Sequence, residues 1–140
     1  DYGIRLLQVA PLLAYYDIDP NIVRFVGTGA WDDIAFFNEP SLQNAIFPGV
    51  EYNKRDSLVS EYKTFYDEDL MRISTLPYDL VGLLAYLINN KYKLKDFYNL
   101  VDNKNLKFDG VDGNFYFQNN LIERELEILQ INKGQALQIN

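Results

Sequence analysis

Neither cysteine nor histidine occurs anywhere in the 140 residues. Their absence removes thiol nucleophiles, imidazole-based triads and the usual zinc sites. Basic charge is also scarce: 13 Lys and Arg stand against 20 Asp and Glu, giving a net charge of −7. No basic stripe offsets this, which argues against a nucleic-acid groove or an anionic membrane surface as partner. No apolar run approaches the roughly 20 residues needed to span a bilayer, and no signal-peptide pattern is present. Lack of cysteine suits the cytosol or a periplasm alike, so it does not locate the chain. The first residues are Asp1-Tyr2-Gly3 with no initiator Met. We expect a piece of a longer precursor whose targeting segment lies upstream.

What the chain does have is apolar and aromatic material. It is 48% hydrophobic, with 11 Tyr and 9 Phe beside a single Trp31 and a single Met71. That is enough to bury a sizeable core, and the length suggests one domain at most.

The stretch Val23 to Asp33 organises the reading. Val23-Arg24-Phe25-Val26 is β-branched or aromatic at three of four positions, which predicts a short strand. Gly27-Thr28-Gly29 then predicts a tight turn with uncovered amides. Asp32 or Asp33 is suited to cap a short helix through Ile34-Ala35-Phe36-Phe37. In open α/β sheets ligands sit beyond the carboxyl ends of strands, so function is sought in this loop.

Before it, Ile4 to Tyr16 has helical apolar spacing, with Pro11 expected to kink or divide the helix. Helix, tight loop and strand make half of a βαβ unit, so a preceding strand is expected to be missing. After it, Glu39-Pro40-Ser41 predicts a short helical turn. Ala45-Ile46-Phe47 predicts a strand broken by Pro48-Gly49 and resumed at Val50-Glu51-Tyr52. Lys54 to Asp67 is an amphipathic helix with Leu58, Tyr62, Phe65 and Tyr66 on one stripe and Asn53 as its cap. Leu76 to Asn90 is apolar around nearly its whole circumference and is expected to be buried on several sides, with Thr75 as its cap. Lys95 to Val101 predicts a shorter surface helix. Asp109 to Gly113 and Asn119-Asn120 predict turns around a strand at Asn114 to Phe117, followed by Glu123 to Ile131 as its hairpin partner. Gln135 to Ile139 is a polar tail or a last edge strand.

Catalysis requires an activated nucleophile or a tuned acid–base pair. Only carboxylates, Ser, Thr, Tyr and Lys remain, and adjacent Asp32 and Asp33 seldom face one another. Capping explains both, and no enzymatic activity is expected. Asp109 and Asp112 lack the spacing and closing Glu of a calcium loop. Gly27-Thr28-Gly29 lacks the ending of a phosphate loop, so no metal or cofactor is expected. Trp31 either lines a cleft or covers the core. Asp79 follows Tyr78 at the positive end of an apolar helix, which stabilises its charge without a ligand.

Five segments in this order resemble one family. They are Leu-Leu-Gln-Val-Ala-Pro-Leu-Leu-Ala-Tyr-Tyr (6–16), Val-Gly-Thr-Gly-Ala-Trp-Asp-Asp (26–33), Tyr-Lys-Thr-Phe-Tyr (62–66), Tyr-Asp-Leu-Val (78–81) and Phe-Asp-Gly-Val-Asp-Gly-Asn-Phe (108–115). Together they resemble the C-terminal part of a type 1 periplasmic-binding-protein fold, in particular the penicillin-binding-protein activator family of LppC-like lipoproteins. The resemblance implies an α/β fold with two Rossmann-like lobes, mostly parallel sheets and a terminal antiparallel hairpin. Residues 1–140 would contribute to both lobes, with a hinge crossing near 48–52. Thr28, Gly29, Trp31, Asp32, Tyr78 and Asp79 are the candidates for lining the cleft. The implied function is non-catalytic. It is either regulation of a peptidoglycan synthase (a class A penicillin-binding protein) or reception of an amino-acid-like solute for an ABC uptake system. The location implied is the periplasm, with a lipid anchor to the outer membrane carried by an upstream part of the same protein.

Overall fold

The computed structural model describes residues 3–50, 52–103 and 105–139. Its helices are α1 (Ile4–Tyr15), α2 (Ile34–Phe37), α3 (Asp56–Tyr66), α4 (Thr75–Asn89) and α5 (Leu94–Asp102). Its strands are β1 (Ile46–Gly49), β2 (Phe108–Gly110), β3 (Gly113–Gln118), β4 (Leu121–Arg124), β5 (Glu127–Asn132) and β6 (Gln135–Gln138). The chain divides into two compact units, Asp1–Tyr52 with Leu126–Asn140, and Asn53–Glu125.

The first unit is built on a sheet of order β1-β5-β6. Phe47 faces Leu129 across β1 and β5, and Ile131 faces Ala136 across β5 and β6. Strand alternation puts these four residues on one face, where all are buried. Leu6 and Ala10 of α1, Phe36 and Phe37 of α2, and Leu42 close over them. The Phe37 and Phe47 rings stack with centroids 6.1 Å apart. Each such side chain contributes about 1.5–3 kcal/mol through burial. Pro11 does not divide α1. Within the helix its nitrogen cannot donate to Leu7 O and its ring crowds that carbonyl. The helix ends where Asp17 turns left-handed (φ 64°) and Ile18 N–H reaches back to Leu13 O at 3.0 Å.

The α/β class holds, while strand direction differs from the expected mostly parallel pairing. All pairs between the described strands are antiparallel. The expected strand Val23–Val26 is reduced to one parallel bridge, Val26 to Ile46. Val23 and Val26 are 47% and 73% exposed, so no burial rewards their β propensity here. Pro48 and Gly49 do not break β1 but belong to it. Ile46 turns its backbone groups toward Phe25 and Gly27, and Pro48, two residues on, faces that same side, away from β5. Its missing N–H therefore costs the β1–β5 ladder nothing. Of the strand expected to resume at 50–52, Val50 is irregular, Tyr52 opens a 3-10 turn, and Glu51 lies outside the described residues. Asn53 is not the cap of α3, because the helix begins at Asp56 with Arg55 in the N-cap position and no side-chain cap bond.

In the second unit the sheet order is β2-β3-β4. Asn119 and Asn120 take φ of 53° and 61°, the left-handed pair that a two-residue hairpin demands. Phe115 and Phe117 point from β3 toward Leu83 and Leu87 of α4, with Phe97 of α5 edge-on to Phe117 at 6.2 Å. The hairpin partner expected as one strand from 123 to 131 is two, β4 and β5, parted at the boundary between units. α4 corrects a further expectation. Its buried residues, Thr75, Asp79, Leu83 and Leu87, form one stripe at intervals of four. Val81 and Ile88 on its other sides are 62% and 73% exposed. α3 buries no residue fully, and Phe65 of its stripe is open.

Two glycines should respond to alanine with opposite signs. A Cβ at Gly49 would lie 2.7 Å from the buried Leu129 side chain, and Gly49→Ala should cost about 1–3 kcal/mol. A Cβ at Gly82, within α4, would meet nothing within 4 Å, and Gly82→Ala should stabilise by about 1 kcal/mol. Urea denaturation of both variants checks the pair.

Candidate functional site

The loop after Val26 is fixed at its start, because Gly27 N–H donates to Ile46 O at 2.8 Å. Thr28 is extended and its hydroxyl accepts from Ala30 N–H at 3.4 Å, opening a 3-10 turn over Gly29–Trp31. Thr28 and Gly29 are exposed. Trp31 turns the other way and is buried in the core of the first unit. Its ring lies over Gly27, where a Cβ would fall 2.1 Å from a ring carbon. Glycine is therefore required at 27 by close approach as well as by the turn. Of the two roles open to Trp31, packing is the one this geometry displays. Asp32 is buried beside it, and Asp33 caps α2, accepting from Ala35 N–H at 2.9 Å.

Tyr78 and Asp79 belong to the second unit. Asp79 is buried and accepts from Val111 N–H at 2.8 Å, from Asp112 N–H at 3.2 Å and from Arg124 Nη1 at 2.7 Å. Gly110 packs against this carboxylate, since a Cβ there would fall 2.4 Å from Asp79 Oδ2. Asp79 thus clamps the β2–β3 turn onto α4. Arg124 also donates to Asp112 O at 2.9 Å and stands 5.2 Å from the Phe115 ring centroid. Arg72 Nη2 lies 2.7 Å from Asp112 Oδ1, close enough for an ion pair although not aligned as a hydrogen bond.

Tyr78 is half exposed. It sits on the rim of a groove of about 580 Å³ whose floor includes Leu83, Phe108 and Phe115. Tyr86 and Tyr92 line the same groove, with their rings 6.5 Å apart. That volume is in the range of small-ligand sites, about 300–1,000 Å³. Lys107, also in the lining, pairs with Glu125. The hydrogen bond from Lys107 holds the Glu125 carboxyl below its ordinary 4.5, and the same bond raises Lys107 above 10.5. Tyr116 is raised above 10.0 because its hydroxyl donates to Glu123.

The structure thus places Thr28, Gly29, Trp31 and Asp32 in one unit and Tyr78 and Asp79 in the other. Sequence reasoning found Tyr78 but missed Arg124, the role of Asp112 beside it, and the groove tyrosines Tyr86 and Tyr92. Gly82, inside the apolar helix, also lines this groove.

Asp79→Ala should destabilise the second unit by about 1–3 kcal/mol, because the Val111 and Asp112 amides would lose their acceptor and Arg124 would keep only Asp112. The double variant Asp79→Leu/Arg124→Met should recover part of that loss, as read by thermal melting.

The Glu125–Lys107 pair sets a pH window. A depressed Glu125 stabilises above 4.5, and the gain is lost as pH falls through its lowered value. A raised Lys107 stabilises below 10.5, and the gain is lost as pH rises through its elevated value. Both side chains are solvent-exposed, so the effect on stability should be small and sensitive to salt. Carboxyl NMR titration should find Glu125 returned toward 4.5 in Lys107→Gln.

No protein-family model and no curated protein matches the sequence. Solved structures do match it in fold. A Rhodospirillum rubrum protein assigned provisionally as a branched-chain amino acid ABC transporter has a TM-score of 0.72 at 18% identity, over 94% of this chain and 41% of that one. The C-domain of LpoA from Haemophilus influenzae, described as a regulator of PBP1A, has a TM-score of 0.65 at 16% identity, over 100% of this chain and 43% of that one. Full-length LpoA from the same organism has a TM-score of 0.64 at 16% identity, covering 99% of this chain and 25% of that one. The chain therefore spans less than half the length of each of these structures, and with them it shares an α/β, periplasmic-binding-protein-like fold.

Proposed function

We propose that this chain is part of a non-catalytic, extracytoplasmic protein that regulates a peptidoglycan synthase of the class A penicillin-binding-protein type by binding it. The observation that carries the reading is the match of the whole chain to the C-domain of a PBP1A regulator. The lack of histidine and cysteine agrees with a binding role rather than turnover. Binding would use surface that the fold leaves open, such as the apolar stripe of α3 and the tyrosines around Tyr78. Trp31, Asp32 and Asp79 would then act by holding Thr28, Gly29 and Tyr78 in place. In this reading the hinge lies near 48–52, the protein works in the periplasm, and an upstream segment anchors it by lipid to the outer membrane. Among the described residues no helix is long and apolar enough to cross a membrane.

A second reading has its own support. The transporter-assigned structure has a TM-score of 0.72, which favours a receptor for an amino-acid-like solute. The two readings separate experimentally. The polypeptide as its gene encodes it is passed over immobilised class A penicillin-binding protein, and separately melted with each of the common amino acids. Retention without any thermal shift is expected. A shift of several degrees with one amino acid, and no retention, would replace the regulator by the receptor. Neither result would remove both.

A further inference from the structure

We propose that the groove of the second unit, between α4 and the β2–β3 turn, receives an aromatic side chain carried on an acidic segment of another polypeptide. The proposal does not rest on either function considered above, and its test uses neither a synthase nor a free amino acid.

The shape of the groove selects the ring. Its floor is apolar, with Leu83, Phe108 and Phe115 in the lining. Tyr78, Tyr86 and Tyr92 line it too, at 51%, 58% and 47% exposure. Their hydroxyls have no hydrogen-bond partner among the described residues. An apolar bed edged with free hydroxyls suits a flat side chain that has a polar edge, such as Trp or Tyr. A volume of about 580 Å³ is more than one ring fills, which leaves room for the backbone on either side of it. Gly82 keeps that space open. Glycine weakens a helix interior, yet a Cβ at 82 would meet nothing within 4 Å. Packing within the chain therefore does not require glycine there, whereas an occupant of the groove would.

Charge selects the segment that carries the ring. The protein has a net charge of −7, but the surroundings of Tyr92 are basic. Lys91 and Lys93 flank it and Lys95 follows, all exposed and none in an ion pair among the described residues. The one acid between Leu80 and Val101 is Asp96, which is taken up by the Lys93 N–H at 2.7 Å. The charged groups of the lining are already matched within the unit. Lys107 pairs with Glu125, Asp109 with Lys54 at 3.0 Å, and Asp79 with Arg124 at 2.7 Å. The free lysines beside Tyr92 are thus left to discriminate between partners. They attract carboxylates placed next to the ring and repel a basic segment.

Three probes are titrated into the polypeptide as its gene encodes it, by calorimetry. They are the capped peptides Asp-Glu-Trp-Glu-Asp and Lys-Lys-Trp-Lys-Lys, and N-acetyltryptophanamide. The acidic peptide should bind about tenfold more tightly than either of the others, with the margin narrowing in salt. Lys91→Gln/Lys93→Gln should erase most of that margin without changing the melting temperature. Gly82→Leu projects a side chain into the groove from a position with free space, and should lose binding at least about tenfold while the melting temperature holds or rises. Tyr92→Ala, at a half-exposed site, gives the same reading should Gly82→Leu fold poorly. No binding of the acidic peptide, equal binding of all three probes, or binding undiminished in Gly82→Leu and Tyr92→Ala would overturn the proposal. So would binding that strengthens as the protein is diluted, which would assign the groove to a second copy of the chain.

Discussion

The pairing of β1 with β5 is the constraint on which the rest of the architecture depends. It joins Phe47 to Leu129 across a long stretch of sequence. Closing such a loop costs entropy that grows only slowly with its length, while the buried Phe47–Leu129–Ile131 face repays it through apolar area. Once that ladder forms, residues 53–125 become an excursion that must satisfy its own core. They do so with Leu83, Leu87, Phe115 and Phe117, none of which draws on the first unit. The division of the chain is therefore a consequence of strand pairing, with no linker of unusual composition required.

Polar burial fixes the second unit more narrowly than its apolar core does. Leu83 and Leu87 would tolerate a rotation of α4 by exchanging apolar neighbours. Asp79 would not, because its carboxylate takes two turn amides and the Arg124 guanidinium in one geometry. Moving it would leave those donors unpaired in a buried place, at a cost of about 1–3 kcal/mol for each neutral group. This links α4, the β2–β3 turn and β4 in a single arrangement, and it presents Tyr78, the preceding residue, at the groove rim. The same logic acts at Gly27 in the first unit. There the demand is for space: the Trp31 ring occupies the volume that any side chain at 27 would need.

How far the sequence disclosed this depends on the range of the interaction. Local signals were legible. Asn119-Asn120 marked a turn, Asp33 a cap, and the helices were found nearly at their observed limits. Contacts between distant residues were not. Asp79 looked self-sufficient at a helix end because nothing in its neighbourhood names Arg124 as its partner. Proline looked like a break in β1 because its cost depends on which edge is paired, and that is decided by Leu129 and Phe25. The resemblance to periplasmic-binding-protein folds was legible from segment order and is met by the solved structures at the level of fold. Strand direction was not legible, because the antiparallel partners of β1 and β3 are set by pairing rather than by composition.

The remaining mismatch between sequence and structure is itself informative. The sequence of α4 is apolar around its circumference, yet only one stripe of it is buried. The strand segment at Val23–Val26 has β-branched residues, yet it makes a single bridge. α3 has a full amphipathic stripe with Phe65 and Tyr66 in the open. A helix of that length is marginal in water without tertiary support, and contiguous exposed apolar surface is uncommon on a finished monomer. In each case the local sequence specifies more burial than these residues supply to one another. This surplus of apolar pattern over burial appears in both units independently.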